Sequence, residues 1–109
     1  MLRPVLIAAT LASLSLAAPV LAADGFTTTI KDHRFSPNTI RVPANQAFSL
    51  TVKNDDDTPE EFESHDLRIE KVIGAHREAT IPIRALKPGS YRFVGEFNEA
   101  TAKGLIIAE

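Results

Sequence analysis

Phe48-Ser49-Leu50-Thr51-Val52-Lys53-Asn54 decides the fold class: apolar and polar residues alternate through it, the period of a half-buried β-strand, and it ends at Asn54 in an acidic loop. The same period returns at short intervals on either side. Upstream, Phe26, Thr28 and Ile30 alternate, Ser36-Pro37-Asn38 makes a turn, and Ile40 and Val42 lie in a second strand. Downstream, Ala79, Ile81 and Ile83 form a half-buried face, and Pro82 between them, lacking a ladder donor, belongs on an edge or facing solvent. Lys87-Pro88-Gly89-Ser90 is a turn, since proline presets φ at its first central position and glycine accepts positive φ at its second. Tyr91, Phe93, Gly95 and Phe97 alternate next, and Leu105 and Ile107 close the chain after Gly104. About seven strands at this spacing, with no sustained 3.6-residue period, predict an all-β Greek-key sandwich of two packed sheets. Its expected core is Phe48, Leu50, Val52, Phe62, Ile81, Tyr91, Phe93 and Leu105.

The first residues read as an export signal covering 1–23: Arg3 gives the positive start, Val5 to Leu16 the apolar run, and Val20-Leu21-Ala22 the small-residue exit. The run is broken by Thr10, Ser13 and Ser15 and is shorter than a spanning helix, so cleavage and release into the periplasm are expected. Residues 24–109 are then one domain of about 86 residues, a size that buries only about 60 to 65% of its unfolded surface. The chain has no cysteine, which excludes disulfides and thiolate metal sites alike. A formal charge of -2 argues against nucleic acid and against an anionic membrane surface as partners. No Ser-His-Asp, glycine-rich phosphate loop or Cys-x-x-Cys pattern supports a hydrolase or a nucleotide-binding protein.

Several stretches together carry a family likeness: Phe35-x-Pro37-x-x-Ile40-x-Val42-Pro43-Ala44, Leu50-x-Val52-x-Asn54-x-Asp56, Pro88-Gly89-x-Tyr91-x-Phe93 and Gly104-x-Ile106. They resemble the cupredoxin framework, and more narrowly the EfeO-type cupredoxin-like domains of bacterial iron-uptake systems. Glu61-Phe62-Glu63-Ser64, followed by Leu67 and Glu70-Lys71, resembles the segment that marks the stand-alone periplasmic members. Where blue-copper proteins carry cysteine and histidine this chain reads Gly95 and Asn98, and no methionine follows, so type 1 copper is excluded. The likeness makes Tyr91 a corner tyrosine bonded to backbone rather than a redox group.

Acid is concentrated in one segment, with Asp55, Asp56, Asp57, Glu60, Glu61, Glu63 and Asp66 in a dozen positions. Glu61, Glu63 and His65 fall on one face if Phe62 lies in a strand, so two carboxylates and an imidazole would converge on a cation. Leu67 and Ile69 share that parity, which calls for a bulge near Ser64 to Asp66. The resemblance implies that the loop from Glu96 to Ala102 passes the same end, where Glu96, Asn98 and Glu99 would complete the ligand set. Such ligands suit an iron or copper ion, Mn(II) or Zn(II) rather than Cu(I). The competing reading of the same residues is a solvated acidic loop. His33 and His76 read as solvated turn residues, and Glu70-Lys71 as a local ion pair or a residue pair with a role of its own.

The function that the resemblance implies is a periplasmic metal-binding accessory of iron uptake, with copper as the alternative cargo. Its partners would be an inner-membrane iron permease or a periplasmic iron-binding protein. An enzymatic version is a ferroxidase component of the permease system, for which no electron acceptor is evident. A version from another class is a metal-free module whose acidic face docks a basic partner.

Overall fold

A computed structural model describes residues 1–4 and 25–109; the expected export signal falls mainly on residues outside these. Nine strands form: β1 Gly25–Lys31, β2 Arg34–Ser36, β3 Thr39–Val42, β4 Phe48–Asn54, β5 Glu60–Ser64, β6 Ile69–Ile73, β7 Glu78–Ile83, β8 Gly89–Gly95 and β9 Lys103–Ala108. They make two sheets, β2-β1-β4-β7 and β3-β9-β8-β5-β6. Both sheets are mixed, with β1 parallel to β4 and β3 parallel to β9. The strands beyond the expected seven are β2 and β6, each the second arm of a tight hairpin that lacks its own alternating signal. Pro82 is exposed on β7, an edge strand, where its missing N–H breaks no ladder.

The sheets are held together by an aromatic cluster. Phe62 and Phe93 stack with centroids 5.1 Å apart, and Phe35 of the opposite sheet meets both edge-on at 6.2 and 4.9 Å. All three are buried, among Ile30, Leu50, Val52, Ile83 and Ile106. Gly104 lies directly across the ladder from Phe93, and a Cβ there would overlap the phenylalanine ring. Tyr91 donates its hydroxyl hydrogen bond to Lys87 O at 2.7 Å, as a corner tyrosine does.

Three expectations shift. On β9 the inward residues are Ile106 and Ala108, with Leu105 and Ile107 only half-buried. The run from Leu105 to Ala108 is apolar throughout and carries no alternation to read; pairing with Ile40 and Val42 of β3 sets the parity instead. Tyr91 is likewise packed on the core without being buried in it. Phe97 does not continue β8: Glu96–Asn98 coils into a 3-10 turn, and Phe97 is exposed.

One end of the sandwich gathers the connections 32–33, 55–59, 74–77 and 96–102. Asn54 and Asp56, both buried, tie three of them together. The Asn54 amide donates to Thr58 O, Ile73 O and Gly74 O, while its oxygen accepts Asp56 N. Asp56 in turn accepts from Asp32 N at 2.8 Å and His33 N at 2.9 Å. Burial works against its charge, but these backbone donors prevail and hold its pKa below the usual value.

Phe93→Ala is expected to lower stability by about 3 to 5 kcal/mol, since it empties the centre of the aromatic cluster. Denaturant unfolding measures this, and a loss below about 1 kcal/mol would show that the ring does not bridge the sheets.

Candidate metal centre

Glu61 and Glu63 lie on the outer face of β5, one residue either side of the buried Phe62. Ladder pairing sets Glu70 of β6 directly opposite Glu63, and Phe62 opposite Gly95, which brings the next residue, Glu96, beside them. Glu61, Glu63, Glu70 and Glu96 each bring an oxygen to within 4.8 Å of the others. Among the described residues no lysine or arginine forms an ion pair with this group. The nearest positive candidate is His65, whose Nε2 lies 3.0 Å from Glu63 Oε1 while its side chain is 89% exposed.

Four carboxylates cannot all stay ionised at ordinary pKa values in this arrangement. A proton shared with Glu96, then partial burial and the charges of Glu96, Glu70 and Glu63, push Glu61 up to about 7. Glu63 is raised for the same leading reason, with its own burial second and His65 opposing. Glu96, accepting from Glu63 and Glu61, is lowered. Glu61 and Glu63 thus share a proton with Glu96 through a pH range in which isolated carboxylates are ionised.

The residues expected at the site are separated by the fold. Glu61, Glu63 and Glu96 converge. His65 stands at the rim, outside the strand, because β5 ends at Ser64 and residues 65–68 turn back into β6 with Arg68 at φ 56°. This hairpin, rather than a bulge, relieves the parity conflict and lets Leu67 be buried. Glu99 lines an adjoining hollow of about 270 Å³ with Glu63, His65 and Asp66. Asn98 points elsewhere, its Nδ2 donating to Glu60 Oε2 at 2.7 Å. Glu70 joins instead, and among the described residues it makes no ion pair with Lys71, which projects to the opposite face of β6. Reading residues 65–68 as a turn would have placed Glu70 across from Glu63.

Glu60 is the residue that the sequence does not single out. It is 1% exposed, and its carboxylate accepts Glu61 N at 3.0 Å, Phe97 N at 2.9 Å and the Asn98 amide. A Cβ on Gly95 would come within 2.6 Å of Glu60 Cδ and 2.7 Å of Ala102 Cβ. The space that a side chain at position 95 would enter is therefore filled by this carboxylate. A type 1 copper centre does not fit: its thiolate is missing from the chain, and at Gly95, where the family likeness places it, Glu60 fills the space.

The chain belongs to the cupredoxin-like domain family, whose model matches residues 4–108. It is 49% identical over 79 residues to an uncharacterized protein of Rickettsia prowazekii (strain Madrid E), a match covering 72% of this chain and 63% of that relative's length. Among solved structures, the Cu(I)-loaded metal-binding domain of the Streptococcus pneumoniae Cu(I)-exporting P-type ATPase CopA superposes with TM-score 0.68 at 14% identity, covering 80% of this chain and 87% of that one. Auracyanin B gives 0.66 at 13% identity over 81% and 90% of the two chains. A Cu(I) form of an amicyanin mutant gives 0.64 at 11%, over 78% and 82%. At such identities the structures establish the shared fold.

Two measurements probe this site. Glu60→Gln replaces an acceptor of three N–H groups with an amide that sets donor against donor, and should cost about 1 to 3 kcal/mol; an unchanged midpoint of unfolding would show that Glu60 does not hold the loop. For Glu61 the folded pKa lies above the ordinary carboxyl value, so its contribution favours folding at low pH and fades as pH rises through about 7. Asp56, with a pKa lowered from 3.8, acts only in more acid solution. Metal-free protein should therefore melt lower at about pH 8 than at about pH 5, and Glu61→Gln should flatten that slope. An identical slope in the variant would remove Glu61 from the shared-proton cluster.

Proposed function

We propose that this protein is a periplasmic cation-binding accessory of iron uptake, a cupredoxin-like domain of the EfeO type that presents a carboxylate site in place of blue copper. The observation that carries the reading is the meeting of four glutamates from β5, β6 and the turn after β8, with no lysine or arginine paired to them among the described residues. Directly opposed like charges destabilise a sheet, and Glu63 and Glu70 face each other across one. A bound cation repays that repulsion, whereas a merely solvated acidic face has no need to bring its carboxylates together. Oxygen ligands select Fe(II), Fe(III) or Mn(II) over Cu(I), and they bind Fe(III) more tightly than Fe(II). Copper as Cu(II) remains the alternative cargo, through His65 and Glu63.

Glu70 and Glu96 are exposed at the rim of the cluster, so a cation can be passed to a permease or to a periplasmic iron-binding protein without unfolding. A ferroxidase component would use the same preference for Fe(III) but requires an electron acceptor from its partner. A metal-free docking module would use the same face and show no cation dependence.

Calorimetric titration of anaerobic Fe(II) and of Cu(II) into the purified protein distinguishes these readings. Saturable binding at one site, weakened about 10- to 100-fold in Glu63→Gln and in Glu96→Gln, is expected, with His65→Ala affecting Cu(II) more than Fe(II). Absence of saturable binding would replace the metal accessory with the docking module. Cu(II) should give no intense blue band, because thiolate is absent.

A further inference from the structure

The outer face of the sheet β3-β9-β8-β5-β6 is divided by charge, and its ladders show where the two halves lie. One cross-strand row reads Glu70 on β6, Glu63 on β5, Val94 on β8 and Lys103 on β9, each residue paired directly with the next. Acid thus stands at one end of the row and base at the other, with an apolar residue between them. Among the described residues Lys103 makes no ion pair, and the glutamates have no lysine or arginine partner. Val94, Leu105 and Phe93 give an apolar lining to a hollow of about 380 Å³ beside Lys103 and Arg92. On the acid half Val72, paired with Glu61, is exposed. The face therefore carries charge of both signs around apolar side chains left partly open to water.

We propose that this face is a self-complementary docking surface for a second copy of the chain, with Lys103 of each copy meeting Glu63 and Glu70 of the other. A two-fold axis between two stacked sheets, parallel to β8, reverses the strand order of the second copy. The row is then laid over its own reverse: β9 faces β5, which sets Lys103 over the glutamates at both ends, while Val94 meets its counterpart at the axis. Arg92, the next outward residue of β8, also comes to the axis. Asp66 accompanies it, with its carboxylate 3.8 Å from Arg92 Nε and accepting Arg92 N, so the axis gathers no uncompensated charge. A partner that is basic alone would match the glutamates and leave Lys103 unmatched, whereas a second copy answers both halves at once. Five strands of four to seven residues, at about 3.3 Å per residue and 4.8 Å per strand, give a face of roughly 400 Å². That area places the dimer at the weak, reversible end of specific interfaces. The proposal uses the charge and position of the glutamates and does not rest on their holding a cation.

The test is sedimentation of the purified protein up to about 1 mM, with charge reversals at Lys103 and Glu70, both exposed. The wild type should pass reversibly from monomer to dimer in this range at low salt, and about 1 M salt, which screens charges beyond about 3 Å, should return it toward monomer. Lys103→Glu and Glu70→Lys should each weaken dimerisation at least about tenfold, because each sets like charges together at both ends of the interface. An equimolar mixture of the two variants should recover it, since in a mixed dimer one end keeps the native pairing and the other holds the same two charges exchanged. A wild type that stays monomeric at about 1 mM, variants that dimerise as the wild type does, or a mixture no more dimeric than either variant alone would overturn the proposal. Anaerobic Fe(II) bound by the glutamates would compete with Lys103 and should shift the wild type toward monomer. A dimer with intact recovery that Fe(II) leaves unmoved would count against cation binding by the glutamates and not against the dimer.

Discussion

The buried carboxylate of Glu60 is the interaction on which the arrangement depends. A charge removed from water must be compensated, and here three N–H donors do so: two from the backbone at Glu61 and Phe97, and one from the side chain of Asn98. The consequence is geometric. The chain leaving β8 is drawn into a 3-10 turn against the start of β5, and Glu96 is delivered beside Glu61 and Glu63. Gly95 is the other half of this constraint, since any side chain there would meet Glu60 and Ala102. The space beside Gly95, where the family likeness places a blue-copper thiolate, is filled by the Glu60 carboxylate.

The outer face of β5 and β6 presents the four glutamates, backed by the Phe62–Phe93–Phe35 cluster. The rigid core opposes what electrostatic repulsion would otherwise do, namely splay the carboxylates apart. The crowding raises the pKa of Glu61 and Glu63, a hydrogen bond shared with Glu96 being the largest cause. The cupredoxin-like framework here carries its carboxylate cluster on a sheet face, with Glu63 buried, Glu61 half-buried and Glu70 and Glu96 exposed.

Strand identity was legible wherever alternation was clean. Phe48 to Val52 and Ala79 to Ile83 needed nothing beyond their period, and Pro82 announced an edge strand correctly. Legibility failed where the pattern is saturated or absent: four consecutive apolar residues in β9 hide its parity, and β6 owes its existence to β5. For the candidate site, the period of two brought out Glu61 and Glu63, and the family likeness brought out Glu96. Glu70 was concealed because its position depends on cross-strand register, which the turn at residues 65–68 determines. Glu60 was concealed because burial of a glutamate among acids is visible only once its three donors are in place.

Anomalous diffraction at the iron edge, from crystals of the protein prepared anaerobically with Fe(II), tests whether Glu61, Glu63, Glu70 and Glu96 jointly hold one cation. A single strong peak bounded by the four carboxylates is the expected result. An iron-free cluster with its four side chains splayed into solvent, at iron concentrations that saturate simple carboxylate ligands, would contradict it.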